Sequence, residues 1–256
     1  ATEEMLDWLS VFLRYGISIC VAGATSSGKT TAAGWLLTTI PDSKRIFTIE
    51  NGSRELELVR EENGKVTNSV VHTLTRDSEN ERQRIDQIAL VDICLRFNPD
   101  ILVVGEMRGA EANAAQEAAR VGVAVLTTIH SNSCNSTYRR MMTLAKRKYN
   151  MDDSILMQIM VEAYPIIVFT KQLEDRSRKI MEIIEGEDYR DGRLIAHSLY
   201  KYEVEDNVTD DRGETRVVGH HKKIGLISDS LKKRLLDNGI SNKELEEFMQ
   251  PPKEVG

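Results

Sequence analysis

The chain has 256 residues, with 34 Lys and Arg against 40 Asp and Glu for a formal charge of −6. At 41% apolar and 29% charged residues it has the composition of a folded chain rather than a disordered one, long enough for one large domain or two small ones. The acidic balance argues against binding nucleic acid through bulk charge, and the apolar runs at 17–24 and 121–126 fall far short of the ~20 residues of a membrane-spanning helix.

Met5, Leu6, Leu9, Phe12 and Leu13 recur at helical spacing, which predicts a helix over residues 3–15 that Gly16 ends. The apolar, β-branched run at 17–22 reads as a strand. A Gly/Ser/Thr loop follows, then a helix over 29–39 that Pro41 and Asp42 break. A second strand covers 45–49. Residues 51–80 are polar and irregular, with a short strand at 70–74. Ile85, Ile88, Ala89, Val91 and Leu95 predict one helix over 81–97. Asn98-Pro99-Asp100 turns the chain into a third strand at 101–104. An Ala-rich helix at 110–120, a fourth strand at 123–128 and helices at 133–146 and 152–162 complete this part. Strands alternating with helices predict βαβ units and a mainly parallel sheet, and solid apolar strands fit a sheet covered on both faces. After Tyr164 the pattern becomes a meander, with strands at 165–171, 178–185 and 194–204 and an acidic turn at 205–213. Two short helices follow at 228–237 and 242–249. The second opens at Ser241 with Glu244 three residues on, a capping-box pattern. Cys20, Cys94 and Cys134 match neither a zinc spacing nor a disulfide framework and are expected as buried free thiols.

The segment Gly23-Ala24-Thr25-Ser26-Ser27-Gly28-Lys29-Thr30 matches G-x-x-x-x-G-K-S/T, with a strand before it and a helix after it. Glycines at the bends let backbone amides wrap phosphate oxygens, and the helix N-terminus adds positive partial charge. The pattern gives Lys29 the β and γ phosphates and Thr30 a Mg²⁺ ion. A second acidic strand end is needed. Residues 101–104 deliver Glu106 to the carboxyl end of a core strand, where it is placed either to polarise the attacking water or to orient Mg²⁺ through a water. Glu50 ends another strand and reads either as a second carboxylate for water activation or as an ordinary loop acid. His130 ends the fourth strand, as a γ-phosphate sensor or a plain strand cap.

Four segments together resemble the type II/type IV secretion ATPase family, the traffic ATPases, and in particular its Tad-type pilus-assembly and conjugation branch. They are GATSSGKTT ending at Thr31, RIFTIENGSREL from Arg45, NPDILVVGEMRGAEA from Asn98 and LTTIHSNS from Leu126. In the family these are the Walker A, acidic, Walker B and His boxes. The resemblance covers roughly residues 10–168.

It implies a RecA-like P-loop ATPase domain over 1–165, with a C-terminal extension of β-meander and two helices over 166–256. Gly23, Ala24, Thr25, Ser26, Ser27, Gly28, Lys29, Thr30 and Thr31 would bind ATP, and Thr30 and Glu106 would hold Mg²⁺. Glu106, Glu50, His130, Arg108 and Arg140 would be catalytic, Arg108 through the family's G-E-x-R pattern and Arg140 as the arginine after the His box. The implied function is ATP hydrolysis powering pilus assembly, secretion or conjugation, by a homo-hexamer at the cytoplasmic face of the inner membrane. Its partner would be an inner-membrane platform protein, and no direct nucleic-acid binding is expected.

There are departures. Asn51 stands where the acidic box usually has Asp, Val121-Gly122-Val123 replaces Thr-Gly-His, and Asp92 replaces an arginine. Only about 22 residues precede Gly23, and the first is Ala1, so the family's separate N-terminal domain is expected to be missing from this chain. The competing reading is a RecA-like nucleic-acid motor of the helicase or recombinase class, which should carry a basic DNA-binding loop.

Overall fold

The computed structural model describes residues 1–109, 111–147, 150–210 and 212–251. The N-terminal half reads α1 (Glu3–Arg14), β1 (Ile19–Gly23), α2 (Lys29–Thr38), β2 (Arg45–Asn51), a small hairpin of β3 (Glu61–Glu62) and β4 (Lys65–Val66), and β5 (Ser69–Thr75). A 3₁₀ turn (Glu81–Gln83), α3 (Gln87–Arg96), β6 (Ile101–Met107), α4 (Glu111–Arg120), β7 (Ala124–Ile129), α5 (Cys134–Ala145) and α6 (Asp153–Ala163) follow. The chain then runs through β8 (Ile166–Gln172), β9 (Arg178–Arg190), β10 (Arg193–Thr209), β11 (Thr215–Lys223), α7 (Asp229–Asp237) and α8 (Asn242–Phe248).

All strands but β3 and β4 share one sheet, in the order β11-β10-β9-β8-β1-β7-β6-β2-β5. From β8 to β5 every pairing is parallel; the pairings of β8 with β9, β9 with β10 and β10 with β11 are antiparallel. Side-chain alternation along β1 feeds two cores. Ile19 and Val21 pack with Leu9, Phe12 and Leu36, and with Leu231 and Leu245 of the last two helices. Cys20 and Ala22 pack with Ala115, Tyr138 and Met160 on the other face. The carboxyl ends of β1, β7, β6 and β2 fall at one edge, since Ala22 pairs with Ile129, Val104 with Thr127 and Ile49 with Val104.

Three expectations need correction. The helix read over 81–97 starts only at Gln87, because the Asp86 side chain accepts from the Ala89 amide at 2.9 Å and caps it there, while Ile85 pairs with Arg76 in an antiparallel bridge. The acidic segment after residue 204 is no turn; it stays in β10 as far as Thr209. The meander also has a further strand, β11, paired with β10 from Tyr200–Lys223 to Thr209–Thr215. Beyond Val204 β10 is exposed at every position and β11 is at most half-buried at alternate ones, so polar residues sit in the hairpin at little burial cost and leave no apolar alternation to read. Residues after 165 continue the same sheet, with β8 hydrogen-bonded alongside β1 from Ile166 to Thr170. Ala110, the expected first residue of α4, lies outside the described residues.

Cys20, Cys94 and Cys134 are free and buried. Burial pushes the Cys94 thiol up to about 12 and the Cys20 and Cys134 thiols well above the ordinary range.

One close approach fixes how β9 meets α5. Tyr138 is fully buried and its hydroxyl donates to the Tyr164 carbonyl at 2.7 Å. A Cβ at Gly186 would overlap the Tyr138 hydroxyl and ring. Gly186→Ala is expected to cost about 1–3 kcal/mol through overpacking, read as a loss of roughly 3–10 °C in Tm. An unchanged Tm would mean that Tyr138 has room to withdraw.

Candidate active site

The loop between β1 and α2 is shaped by two glycines. A Cβ on Gly23 would overlap Ser27 Oγ and the Thr170 carbonyl, so only glycine fits. Gly28 takes φ 93° and stands at the N-cap of α2 without a side-chain cap bond. The first-turn amides of α2 therefore open toward the loop, a ready anion cradle.

Lys29 folds back across this cradle. Its Nζ donates to the carbonyls of Gly23 at 3.1 Å and Ala24 at 2.8 Å and lies 3.4 Å from His130 Nδ1. His130 Nε2 is 3.0 Å from Glu106 Oε1, and Arg108 Nη2 donates to Glu106 Oε2 at 2.6 Å. An ammonium can only donate, so in its contact with Lys29 the His130 Nδ1 is the acceptor, while Glu106 Oε1 lies near Nε2 without a hydrogen bond. Burial lowers the pKa of Lys29, and the Glu106 charge works against that shift. The cleft above the loop measures about 260 Å³, and its walls include Lys29, Thr30, Glu55, Glu106 and His130.

Glu50 is 4% exposed. Its Oε2 accepts from the amides of Glu55 at 2.7 Å and Leu56 at 3.0 Å, and its Oε1 from Thr48 Oγ1 at 3.4 Å. It touches the cleft wall, but its Oε2 is taken up in holding the loop after β2. The exposed carboxylate on that wall is Glu55, which sequence reasoning passed over. The available signal was a second acid five residues after the first in the same segment. Gln87 joins the ends of β2 and β6, donating to Asn51 Oδ1 at 2.9 Å and to the Glu106 carbonyl at 3.4 Å.

The structure brings Thr25, Ser26, Lys29, Thr30, Glu50, Glu106, Arg108 and His130 to one cleft. Gly23, Ala24, Ser27 and Gly28 form the frame of the loop. Thr31 sits on the other flank, in a groove with Trp35 and Arg178. Arg140 is not brought to the cleft; it lies exposed on α5.

The family described as "Type II/IV secretion system protein" matches residues 2–197. An uncharacterized protein of Methanocaldococcus jannaschii is 30% identical over 218 residues, which cover 84% of this chain and 76% of that one. The type IV secretion system protein VirB11 of Brucella suis is 34% identical over 157 residues, 58% of this chain and 41% of that one. The crystal structure of the VirB11 ATPase of the Brucella suis type IV secretion system, in complex with sulphate, has a TM-score of 0.58 at 25% identity, over 70% of this chain and 51% of that one. The ATPase DotB of Legionella pneumophila shares the fold, with a TM-score of 0.54 at 20% identity over 99% of this chain and 57% of that one. The chain thus spans little more than half of these solved proteins. With a phosphate loop, a strand-end glutamate and a strand-end histidine meeting at the carboxyl edge of a parallel sheet, and a family match over residues 2–197, the chain belongs to the type II/IV secretion system protein family.

Proposed function

We propose that the chain hydrolyses ATP in this cleft and that the energy drives pilus assembly, secretion or conjugation through a membrane machine. The observation that carries the reading is the chain Lys29–His130–Glu106–Arg108 at the mouth of a glycine-framed phosphate loop. Phosphoryl transfer asks a protein mainly for positioning and charge. Lys29 and the open amides of α2 bind the phosphates, and Arg108 holds Glu106 beside the place an attacking water needs. The ring is expected to be a homo-hexamer at the cytoplasmic face of the inner membrane, working on a platform protein there.

Mg²⁺ fits the donor set. Among the described residues no group of three or more His, Cys, Asp or Glu converges as a metal cage. Mg²⁺ commonly takes only one or two protein ligands and fills its shell with phosphates and water. The Thr30 hydroxyl and Glu106 both line the cleft and would hold it, and the ion supplies charge neutralisation of the phosphates.

Phosphate release from ATP in the presence and absence of Mg²⁺ tests the reading. Turnover is expected with Mg²⁺ and lost on chelation; a chain that binds ATP but releases no phosphate under either condition refutes it.

The two acids after β2 separate in the same assay. We assign the catalytic carboxylate on this wall to Glu55 and a loop-holding role to Glu50. Glu55→Gln is expected to lower turnover about 10²-fold, the scale of a lost general base, with Tm unchanged. Glu50→Gln should cost about 1–3 kcal/mol of stability by leaving buried donors and acceptors mismatched. The reverse pattern would return the catalytic role to Glu50.

A further inference from the structure

The phosphate loop is gripped from outside by two residues of the meander. Arg178 opens β9, and its Nε donates to the Ser26 carbonyl at 2.9 Å. Its stem lies along Gly28, with Cδ 3.2 Å from where a Cβ would stand. Thr170, on β8 and 3% exposed, donates its hydroxyl to the Ala22 carbonyl at 3.2 Å. That uses the only hydrogen of the hydroxyl, so in the 2.9 Å contact between Ser27 Oγ and Thr170 Oγ1 Ser27 is the donor.

Both grips fall on consecutive residues at the crest of the loop. Ser26 has φ 62°, a left-handed conformation that non-glycine residues keep only where their surroundings impose it. Neither bond uses an amide of the loop. Neither residue belongs to the four sequence segments that mark the nucleotide site.

We propose that Arg178 and Thr170 are positioning residues that hold the crest of the loop in its phosphate-receiving shape, so that the C-terminal meander sets the affinity for the nucleotide phosphate chain. This rests on the loop binding nucleotide. A pre-shaped loop binds more tightly because no ordering remains to be done on binding. By linkage, a nucleotide that favours the held crest also steadies the root of the meander.

The experiment measures the affinity of a fluorescent ADP analogue, KM and kcat for ATP, and Tm. Arg178→Met keeps the stem against Gly28 and removes the donor. Thr170→Val keeps the shape and removes the hydroxyl. Lys179→Met removes a neighbouring cation that lies over the Tyr202 ring. Arg178→Met and Thr170→Val are each expected to raise Kd and KM about 5- to 10-fold, the scale of one net hydrogen bond. Their kcat should stay within about threefold, as expected when an interaction acts on binding alone. Arg178→Met should keep the parent's Tm, Thr170→Val should lower it by a few degrees because the buried Ser27 hydroxyl and Ala22 carbonyl lose a partner, and every value for Lys179→Met should match the parent. Parental affinity in Arg178→Met or Thr170→Val overturns the proposal, and so does an equal loss in Lys179→Met, which would make the effect one of general charge. Should Arg178→Met fail to fold, Thr170→Val decides by the same two outcomes. A parent chain that binds no nucleotide defeats the ATPase reading itself; variants that match a nucleotide-binding parent defeat only the proposal.

Discussion

Lys29→Ala is expected to reduce phosphate release by 10³-fold or more. The side chain is 8% exposed, and its ammonium donates to two carbonyls of the loop, 3.1 and 2.8 Å away. Those carbonyls are weaker partners than a phosphate, so an arriving nucleotide takes the charge over with little reorganisation. Removing a positioned cation from a partly dry site forfeits about 4 kcal/mol of transition-state stabilisation, which is roughly a thousandfold. Lys29→Arg should not restore activity. A planar fork cannot replace a compact ammonium between the Gly23 and Ala24 carbonyls. Turnover of Lys29→Ala within tenfold of the parent would remove the proposed function.

Glu106→Gln is expected to keep ATP affinity within about threefold and to lose turnover by 10²–10⁴-fold. The carboxylate faces His130 through one oxygen and Arg108 through the other. Glutamine preserves shape and can accept from Arg108, but it carries no charge and takes no proton. Affinity by fluorescence and hydrolysis per bound nucleotide are to be read separately. Weak binding with normal hydrolysis per bound nucleotide would make Glu106 a binding residue and move the chemistry elsewhere.

The parallel core was legible in the sequence because burial on both faces forces solid apolar runs, as at Ile19–Gly23 and Ala124–Ile129. The phosphate loop was legible because close backbone wrapping leaves few residue choices. Ile85 misled the reading of α3: its spacing fits a helix, yet its backbone is bridged to Arg76 and its half-buried side chain packs against the core from before the helix begins. β11 was hidden because a strand at most half-buried on one face can be polar along its length, and its sequence from Thr215 to Lys223 shows no apolar alternation. Glu50 shows a different limit. Its position at the strand end was right, but only the structure reveals that the amides of Glu55 and Leu56 already occupy it. Arg178 carried no signal at all, since its role depends on β9 returning beside the loop.

The buried thiols have a practical consequence. Cys20 and Cys134 each have 0% relative exposure, as does Cys94, and all three thiols are held protonated at neutral pH. Maleimide and iodoacetamide attack exposed thiolates, so the native chain should resist both. A single cysteine introduced on the wet hairpin, at Val208 for instance, would then be the one site to take up a dye or spin label. The surroundings of the hairpin can thus be followed during nucleotide binding without first stripping the core of its sulfur.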